Sequence, residues 1–273
     1  MIWLESKPII EKIKPYLAGQ VHAFKEAQRR APRLAIVLVG DNERSKKFIA
    51  LKQAFAREVG VETKLFHYEA GIGGNDLRAR LTPIVHSPAN DAVIIRLPLP
   101  PPIDPRTIFG AVTRKKDVDG LAPDSVGDFI EGKALYIPPV AEAVEMLLAH
   151  YDITLKGKRV VVAGQGRLVG RPVALRILQL GVSPCLTDRD DPFLEEKLKN
   201  ADVVITGVGE DPRFITGDML KDGVVVIDVA GDVDLDSVAQ RAAFLTPQIG
   251  GIGPLTVMLL IRNTIRAAMF QRR

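Results

Sequence analysis

The sequence is poor in cysteine and contains no long apolar run. Its 273 residues include a single cysteine, Cys185, so no intramolecular disulfide can form, and this scarcity is typical of a reducing compartment. The short apolar segment around Cys185 predicts a core position for it. No apolar run reaches the ~18 residues that a membrane-spanning helix needs, and the early Glu5 interrupts the order expected of a signal peptide. We therefore expect a cytoplasmic protein without a membrane partner.

A large excess of one charge sign is absent as well. Lysine and arginine number 37 against 33 aspartates and glutamates, and aromatic residues make up only 5% of the chain. No basic run is long enough to indicate nucleic-acid binding. The four histidines are scattered, and none pairs with a cysteine or acidic residue at metal-ligand spacing. We expect neither a nucleic-acid partner nor a bound metal.

Strand-like runs and helical patterns alternate along the whole chain. The predicted strands are 34–39, 62–67, 92–95, 159–163, 183–187, 203–208, 224–229 and 243–246. The clearest predicted helices are 45–59, 77–85, 140–151 and 256–270. Such alternation is typical of parallel α/β sheets. The loop-like stretch from Gly120 to Tyr136 separates two sets of strands, so the sequence predicts two α/β domains, the second doubly wound.

The segment RVVVAGQGRLVGRPVALRIL, residues 159–178, predicts a strand, a tight glycine turn and a helix. Gly164, Gly166 and Gly170 follow G-x-G-x-x-x-G, one residue longer than the usual dinucleotide fingerprint. Glycines let the backbone approach a pyrophosphate, and a helix N-terminus offers unpaired N–H groups and a positive dipole end. A tight turn that binds nothing produces the same pattern. Both interpretations stay open on this motif alone.

Two charged side chains stand out among apolar neighbours in the first half of the chain. Ser45, Phe48 and Lys52 share one helix face, and an ammonium buried on such a face is costly, although Lys52 could also extend to solvent. Arg96 follows a predicted buried strand in RLPLP, at the sheet edge where ligands bind in α/β proteins. The alternative for Arg96 is a rigid surface turn.

Two further segments contain candidate ligand-binding residues. In KDVDG, Asp117 and Asp119 could bind a metal, but nearby ligands are lacking. One of these aspartates could instead accept two parallel hydrogen bonds from a guanidine-like ring edge. The segment TPQIGGIGPLT, residues 246–256, predicts a rigid loop with exposed backbone, against which a ligand can lie flat.

Taken together and in this order, these segments resemble the bifunctional methylenetetrahydrofolate dehydrogenase/cyclohydrolase family over nearly the whole chain. The matching segments are LVGDNERSKKFIALKQAFAREVG, IIRLPLP, KDVDG, VVAGQGRLVGRPVA, VVVIDVAGDVD and TPQIGGIGPLT. The resemblance implies a folate-binding catalytic α/β domain, residues 1–135 plus 256–273. It also implies a Rossmann-like NAD(P)-binding domain, residues 136–255, with a cleft between the two.

The resemblance implies a function in folate one-carbon metabolism that feeds purine biosynthesis. Methylene-tetrahydrofolate would be oxidised to methenyl-tetrahydrofolate with NADP or NAD, then hydrolysed to formyl-tetrahydrofolate. A homodimer formed through the second domain is implied as well. Two alternatives stay open: a dehydrogenase that has lost the cyclohydrolase activity, and a catalytically degenerate paralogue that only binds folate or nucleotide.

The same resemblance implies roles for individual residues. Lys52 would serve the hydrolysis, with Phe48 and Arg96 beside it as the other catalytic candidates. Asp119 would hold the amino edge of the pterin. The further residues expected at the folate are Gly251, Gly253, Pro254 and Thr256. The residues expected at the nicotinamide cofactor are Gly164, Gln165, Gly166, Asp188, Arg189, Val229 and Ala230.

Several of these positions depart from the family pattern. Phe48 stands where the family usually has tyrosine, and Arg96 where it has glutamine. A cation close to Lys52 would lower the pKa of the lysine and create a neutral base, or it could displace the water and abolish hydrolysis. Asp188 favours a ribose hydroxyl and hence NAD, whereas Arg189 could meet the phosphate of NADP; both could also be solvated loop charges. The segment after Ala230 is shorter than usual.

Overall fold

The chain forms two compact units in the computed structural model, which describes residues 1–209 and 213–271. One unit comprises Met1–Ile10 and Val140–Thr256, and the other comprises Glu11–Pro139 with the chain from Val257 onward. The strands β1 to β9 are Ile2–Trp3, Arg33–Val39, Glu62–Tyr68, Ala92–Ile95, Val160–Ala163, Cys185–Thr187, Val203–Thr206, Val225–Asp228 and Phe244–Leu245. The helices α1 to α10 are Lys7–Gln28, Glu43–Val59, Gly74–His86, Pro105–Phe109, Pro123–Ile130, Pro139–His150, Gly170–Gln179, Leu194–Lys199, Leu235–Ala239 and Ile252–Phe270.

The unit that contains β5 to β9 is built on a six-stranded sheet in the order β1-β9-β8-β7-β5-β6. Every pairing is parallel, and β5 and β7 are buried along their whole length. Valine-rich runs without polar alternation form such strands because both faces are covered. The chain order reverses direction between β5 and β7, which makes the carboxyl ends of these strands a topological switch point.

The other unit is built on a three-stranded parallel sheet in the order β3-β2-β4. The central β2 is buried from Leu34 to Val39, and all of β4 is buried. The apolar side chains of both strands pack with those of α3 and the segments that follow β4. Strand β3, which follows β2 in the chain, lies on one side of β2, and β4 lies on the other side. This sheet therefore also has a switch point, at the carboxyl ends of β2 and β4.

The α/β class and the two-domain organisation predicted from the sequence are confirmed, but the boundaries differ. The sequence analysis assigned residues 1–10 to the first domain. In the structure they fall in the other unit, because β1 pairs with β9, the backbone N–H of Ile2 donating to Ala243 and that of Leu4 to Leu245. The division after the first set of strands lies at Pro139, close to the expected position at Tyr136.

Three local expectations are wrong for identifiable reasons. The loop-like stretch after Gly120 contains α5, whose first turn begins at Pro123, a position where proline favours a helix. The last helix begins at Ile252, so that Gly253 and Pro254 lie in its first turn, where proline is tolerated. Cys185 is exposed and not part of the core, because β6 is an edge strand.

None of the helices in the described part of the chain combines the length and the apolar character that a membrane span requires.

Candidate active site

The charged residues of the first half of the chain meet at the switch point between β2 and β4. Arg96 directly follows β4, and its backbone N–H donates to the carbonyl of Val37 at 2.8 Å, extending the parallel ladder by one residue. Helix α2 begins after β2, where the side chain of Asn42 caps it by accepting the N–H of Ser45 at 2.9 Å. The first turns of α2 are thereby held next to Arg96 at the edge where α/β sheets bind ligands.

The guanidinium of Arg96 lies against the face of α2 that the sequence spacing predicts. Its Nε donates to Oγ of Ser45 at 3.3 Å, and its central carbon lies 5.0 Å from the centre of the Phe48 ring, within the range of a cation–π contact. Ser45 is buried, whereas Phe48 and Arg96 are half-buried. Phe48 has no group that can move a proton, so in this structure its ring supports Arg96.

Lys52 and Asp119 share the vicinity of Arg96 without being paired. Within residues 1–209 and 213–271, neither the Lys52 amine nor the Asp119 carboxylate makes a hydrogen bond or an ion pair. Desolvation is the largest influence on both groups: it lowers the pKa of Lys52 and raises the pKa of Asp119. Their mutual attraction opposes both shifts. Two ionisable groups held without partners at a switch point are typical of a functional site.

The two aspartates of the KDVDG segment have different surroundings. Asp117 is buried, and its carboxylate accepts the backbone N–H of Gly120 at 3.1 Å and that of Ala122 at 2.6 Å. Burial raises the pKa of Asp117, while these hydrogen bonds favour its charged form. Asp117 therefore shapes the turn that presents Asp119. The sequence left open which of the two aspartates contacts a ligand. The structure favours Asp119, because Asp117 is engaged by backbone N–H groups.

The glycine turn after β5 brings backbone into contact with backbone. Gly164 has a φ of +94°, and a Cβ on Gly170, the first residue of α7, would lie 1.7 Å from the carbonyl oxygen of Gly164. A Cβ on Gly166, in contrast, would meet nothing within 4 Å, and Gln165 and Gly166 are exposed. The turn thus offers open backbone next to a helix N-terminus, which suits the phosphates of a dinucleotide.

Asp188 and Arg189 follow β6, the strand beside β5. A carboxylate oxygen of Asp188 accepts the backbone N–H of Arg189 at 2.9 Å. The guanidinium of Arg189 lies 5.4 Å from the centre of the Phe214 ring, so part of its surface is occupied by that stacking contact. Asp188 is half-buried and Arg189 is exposed.

Two aspartates, the half-buried Asp228 and the buried Asp232, organise the loops at the carboxyl ends of β7 and β8, and the sequence analysis assigned them no role. Asp228 accepts backbone N–H groups from Ala230, Gly231 and Asp232 at 3.2, 2.8 and 3.0 Å. Asp232 is fully buried and accepts from the backbone N–H groups of residues 208 and 209 at 2.8 and 2.6 Å and from the Thr206 hydroxyl at 2.8 Å. The signal available in the sequence was an aspartate that ends a buried strand, followed closely by a second one.

Replacement of Asp232 by alanine is expected to destabilise the protein by about 2–4 kcal/mol. The change leaves the buried Thr206 hydroxyl and two partly exposed backbone N–H groups without their acceptor, and a buried group costs about 1–3 kcal/mol when it stays unpaired. Urea unfolding measures the difference. Asp236→Ala, at an exposed position of α9, is the matched control and should stay within about 0.5 kcal/mol of the parent. Equal stabilities of the two variants would contradict the role of Asp232.

The glycines before and at the start of α10 differ in how much space surrounds them. A Cβ on Gly251 would lie 2.7 Å from the carbonyl oxygen of Pro247, whereas one on Gly253 would meet nothing within 4 Å. Gly253 and Pro254 are exposed, and the Thr256 hydroxyl donates to the carbonyl of Ile252 at 3.0 Å. Ile249, in the loop before α10, is 91% exposed. The loop presents open backbone and an apolar side chain, as expected for contact with a flat ligand.

No group of three or more metal-ligating side chains comes together in the parts of the chain that the structure describes. A metal-free reaction stays a prediction.

The six-stranded parallel sheet, its switch point and the glycine turn define an α/β protein of the dinucleotide-binding class. The model of the tetrahydrofolate dehydrogenase/cyclohydrolase catalytic domain matches residues 4–119, and that of the NAD(P)-binding domain of the same enzymes matches residues 138–272. The chain belongs to the tetrahydrofolate dehydrogenase/cyclohydrolase family.

Individual relatives match over nearly the full length. The bifunctional protein FolD of Nautilia profundicola is 35% identical over 98% of this chain and 97% of its own. The crystal structure of bifunctional FolD from Campylobacter jejuni has a TM-score of 0.91 at 30% identity and covers 99% of both chains. The dehydrogenase-cyclohydrolase of Trypanosoma brucei, complexed with NADP and an inhibitor, has a TM-score of 0.92 at 26% identity, covering 100% of this chain and 99% of its own.

Proposed function

We propose that the protein oxidises methylene-tetrahydrofolate to methenyl-tetrahydrofolate with a nicotinamide cofactor and then hydrolyses the product to formyl-tetrahydrofolate. Both reactions are those of the family to which the chain belongs. The observation that carries the proposal is the unpartnered pair of Lys52 and Asp119 at the switch point between β2 and β4. Formyl-tetrahydrofolate made in this way would serve purine biosynthesis, and the single cysteine favours a cytoplasmic location.

The oxidation needs alignment more than it needs acid–base chemistry. The carbon that loses hydride lies between two nitrogens, and a nitrogen lone pair stabilises the cation that forms, so no proton has to be removed. When bound, the nicotinamide accepts the hydride. The chain's part is to hold substrate and cofactor in a reactive geometry. We assign the phosphates to Gly164, Gln165 and Gly166, and the nicotinamide end to Val229 and Ala230, whose loop Asp228 fixes.

The hydrolysis needs a base, and Lys52 is the residue placed to supply one. Water attacks the methenyl carbon, the π electrons of the C=N bond return to nitrogen, and the amine of Lys52 takes a proton from that water. The resulting carbinolamine then loses its hydroxyl proton as the bond from its carbon to one nitrogen breaks, and that nitrogen takes up a proton to give the formyl product. An amine takes the proton of the attacking water only in its neutral form, which the desolvated surroundings of Lys52 favour by lowering its pKa. The second reaction therefore depends on a particular side chain in a way that the first does not.

We assign the folate to two sets of residues. The carboxylate of Asp119 would accept two parallel hydrogen bonds from the amino edge of the pterin, and no hydrogen bond within the described residues competes for it. Gly251, Gly253, Pro254 and Thr256 would contact the substrate through the loop that leads into α10. The accessible backbone at Gly253 supports this assignment more directly than Gly251 does.

We propose that NAD is preferred over NADP. Asp188 follows the strand next to the glycine turn, where an acidic residue accepts from a ribose hydroxyl and repels a ribose phosphate. The stacking of Arg189 on Phe214 engages the cation that could otherwise favour NADP.

Replacement of Asp188 by serine should therefore move the cofactor preference toward NADP. Removing the repulsion and the ribose hydrogen bond should lower the ratio of kcat/KM for NAD to that for NADP by about tenfold or more, which corresponds to about 1.4 kcal/mol. The measurement is the oxidation of methylene-tetrahydrofolate at saturating folate with each cofactor. Asp190→Ser, at an exposed neighbour, is the control. An unchanged ratio in Asp188→Ser would mean that a residue other than Asp188 sets the preference between NAD and NADP.

We propose a homodimer that forms through the edge of the six-stranded sheet at β6. Leu186 on the edge strand β6 is 40% exposed, and Leu178 and Leu180, at the end of α7, are 50% and 45% exposed, so this unit presents an open strand edge and exposed apolar side chains. Sedimentation equilibrium should give twice the chain mass of 29.8 kDa. Leu186→Lys should shift the mass toward the monomer, whereas Ile130→Lys, at an exposed position of α5, should not. A monomeric parent protein would refute the assembly.

The paired-cofactor assay tests the dehydrogenase activity directly. Purified protein and methylene-tetrahydrofolate are mixed with NAD or with NADP, and reduced nicotinamide is followed by absorbance. The expected result is turnover with both and a higher kcat/KM with NAD. Absence of turnover with either cofactor, while folate still binds, would indicate a paralogue that has kept the fold without the chemistry.

A further inference from the structure

The guanidinium of Arg96, which follows β4, lies against the face of α2 that also carries Lys52. Ser45, Phe48 and Lys52 lie at positions i, i+3 and i+7 of the helix, and neighbours on a helix surface are three or four residues apart. Arg96 contacts the first two of these side chains, Ser45 through Nε at 3.3 Å and Phe48 through its ring at 5.0 Å. Since Phe48 and Lys52 are adjacent on that face, the contact brings a fixed cation next to the lysine.

The positive charges around Lys52 outnumber the negative ones. Asp119 is the acidic group that acts on both Lys52 and Arg96, and Arg44 adds a further positive charge on the side of Arg96. Within the ranges that the structure describes, no carboxylate forms an ion pair with either Lys52 or Arg96. Two cations thus share one acidic neighbour. The least costly response of such a group is loss of a proton from the amine, since arginine keeps its own.

We propose that Arg96 is a positioning residue for the hydrolysis: held on the Phe48 ring and the Ser45 hydroxyl, it keeps the amine of Lys52 uncharged and available as the base. This inference rests on the proposed function of Lys52. The Phe48 ring and the Ser45 hydroxyl hold the guanidinium against α2, and its positive charge disfavours the protonated form of a nearby amine.

The direction of the effect follows from the sign of the neighbouring charge. A positive group disfavours the protonated amine, and Arg96 does lower the pKa of Lys52, adding to the larger effect of desolvation; Asp119 opposes both. Replacing Arg96 by glutamine removes this positive charge and should therefore raise the titration midpoint of Lys52.

Competitive labelling with acetic anhydride measures the titration of Lys52 without requiring activity. The full-length protein is labelled between pH 6 and 11, and the extent of acetylation at Lys52 is read by mass spectrometry. The parent protein should titrate below the usual lysine range, and R96Q should titrate at a higher pH, with labelling at pH 8 falling about tenfold for each pH unit of that shift. R96K, which keeps the charge, should restore a low midpoint. R57Q, at an exposed arginine on the same helix, should not change it.

The pH profile of hydrolysis separates this inference from the proposed function. If Lys52 is the base, the rate should rise with pH through the midpoint found by labelling, and that rise should move to higher pH in R96Q. An identical Lys52 midpoint in the parent and R96Q, both folded by circular dichroism, overturns the role of Arg96 while leaving the function intact. A shifted midpoint in a parent protein that does not hydrolyse methenyl-tetrahydrofolate supports the effect of Arg96 and overturns the hydrolase function.

Discussion

Replacement of Lys52 by methionine is expected to lower the rate of methenyl hydrolysis by at least about 100-fold while hydride transfer falls by less than about tenfold. General-base catalysis contributes about 10²–10⁴-fold, and methionine keeps the length of the side chain without its amine. Oxidation of methylene-tetrahydrofolate requires no proton transfer, so its rate depends on Lys52 only through packing. The two rates are measured separately, by methenyl disappearance and by nicotinamide reduction.

Two controls exclude a folding defect as the cause. Lys52 is a half-buried amine without a partner within the described residues, so Lys52→Met removes an unfavourable desolvation and should unfold at an equal or higher temperature. Lys47→Met, at an exposed position of the same helix, should leave both rates unchanged. An equal loss of hydrolysis and oxidation in Lys52→Met, with folate still bound, would contradict the division of labour between the two reactions.

Replacement of Gly170 by alanine is expected to destabilise the unit that contains β5 to β9 by about 3 kcal/mol or more. The added Cβ would lie 1.7 Å from the carbonyl oxygen of Gly164, a backbone atom that cannot move aside without opening the turn. Overpacking of this kind usually costs about 1–3 kcal/mol, and larger losses occur where backbone is displaced. Thermal unfolding is the direct measurement. An unchanged unfolding temperature would mean that the turn is looser than the structure shows.

Gly166→Ala is the matched comparison, because a Cβ at Gly166 meets nothing within 4 Å. Its unfolding temperature should equal that of the parent protein. If the phosphates of the cofactor lie against this backbone, the added methyl should weaken NAD binding by about tenfold, since it stands where the pyrophosphate approaches. Calorimetric titration with NAD measures the loss. Unchanged affinity in a stable Gly166→Ala protein would mean that the phosphates of the cofactor do not bind at this turn.

The pattern of the sequence predicted most of the fold because parallel sheets bury continuous apolar runs. Strand β4 was predicted with the bounds it has, and β2, β3 and β5 within one residue at an end. The short β1 was missed, since two residues carry no periodicity and its position depends on pairing with β9. Helix α5 was missed because its glycine and proline content is typical of a loop, whereas Pro123 and the buried Phe129 show how the helix begins and packs.

The candidate site was predicted in part, and the limit is physical. Helical spacing brought Ser45, Phe48 and Lys52 onto one face, and the end of β4 placed Arg96 at the binding edge of the sheet. Spacing within one segment does not give contacts between segments, so the stacking of Arg96 on Phe48 became visible only in three dimensions. The same holds for Asp232, whose acceptor role depends on a loop that follows a different strand.

The most direct test of the proposed mechanism is the rate of methenyl-tetrahydrofolate hydrolysis by the purified protein without any nicotinamide cofactor. The decay of methenyl absorbance is followed with and without protein, in parallel with the Lys52→Met variant. We predict that the parent protein accelerates the decay over the uncatalysed rate and that Lys52→Met loses most of this acceleration. A parent protein that oxidises methylene-tetrahydrofolate yet leaves the methenyl decay at the uncatalysed rate would contradict the assignment of Lys52 as the base.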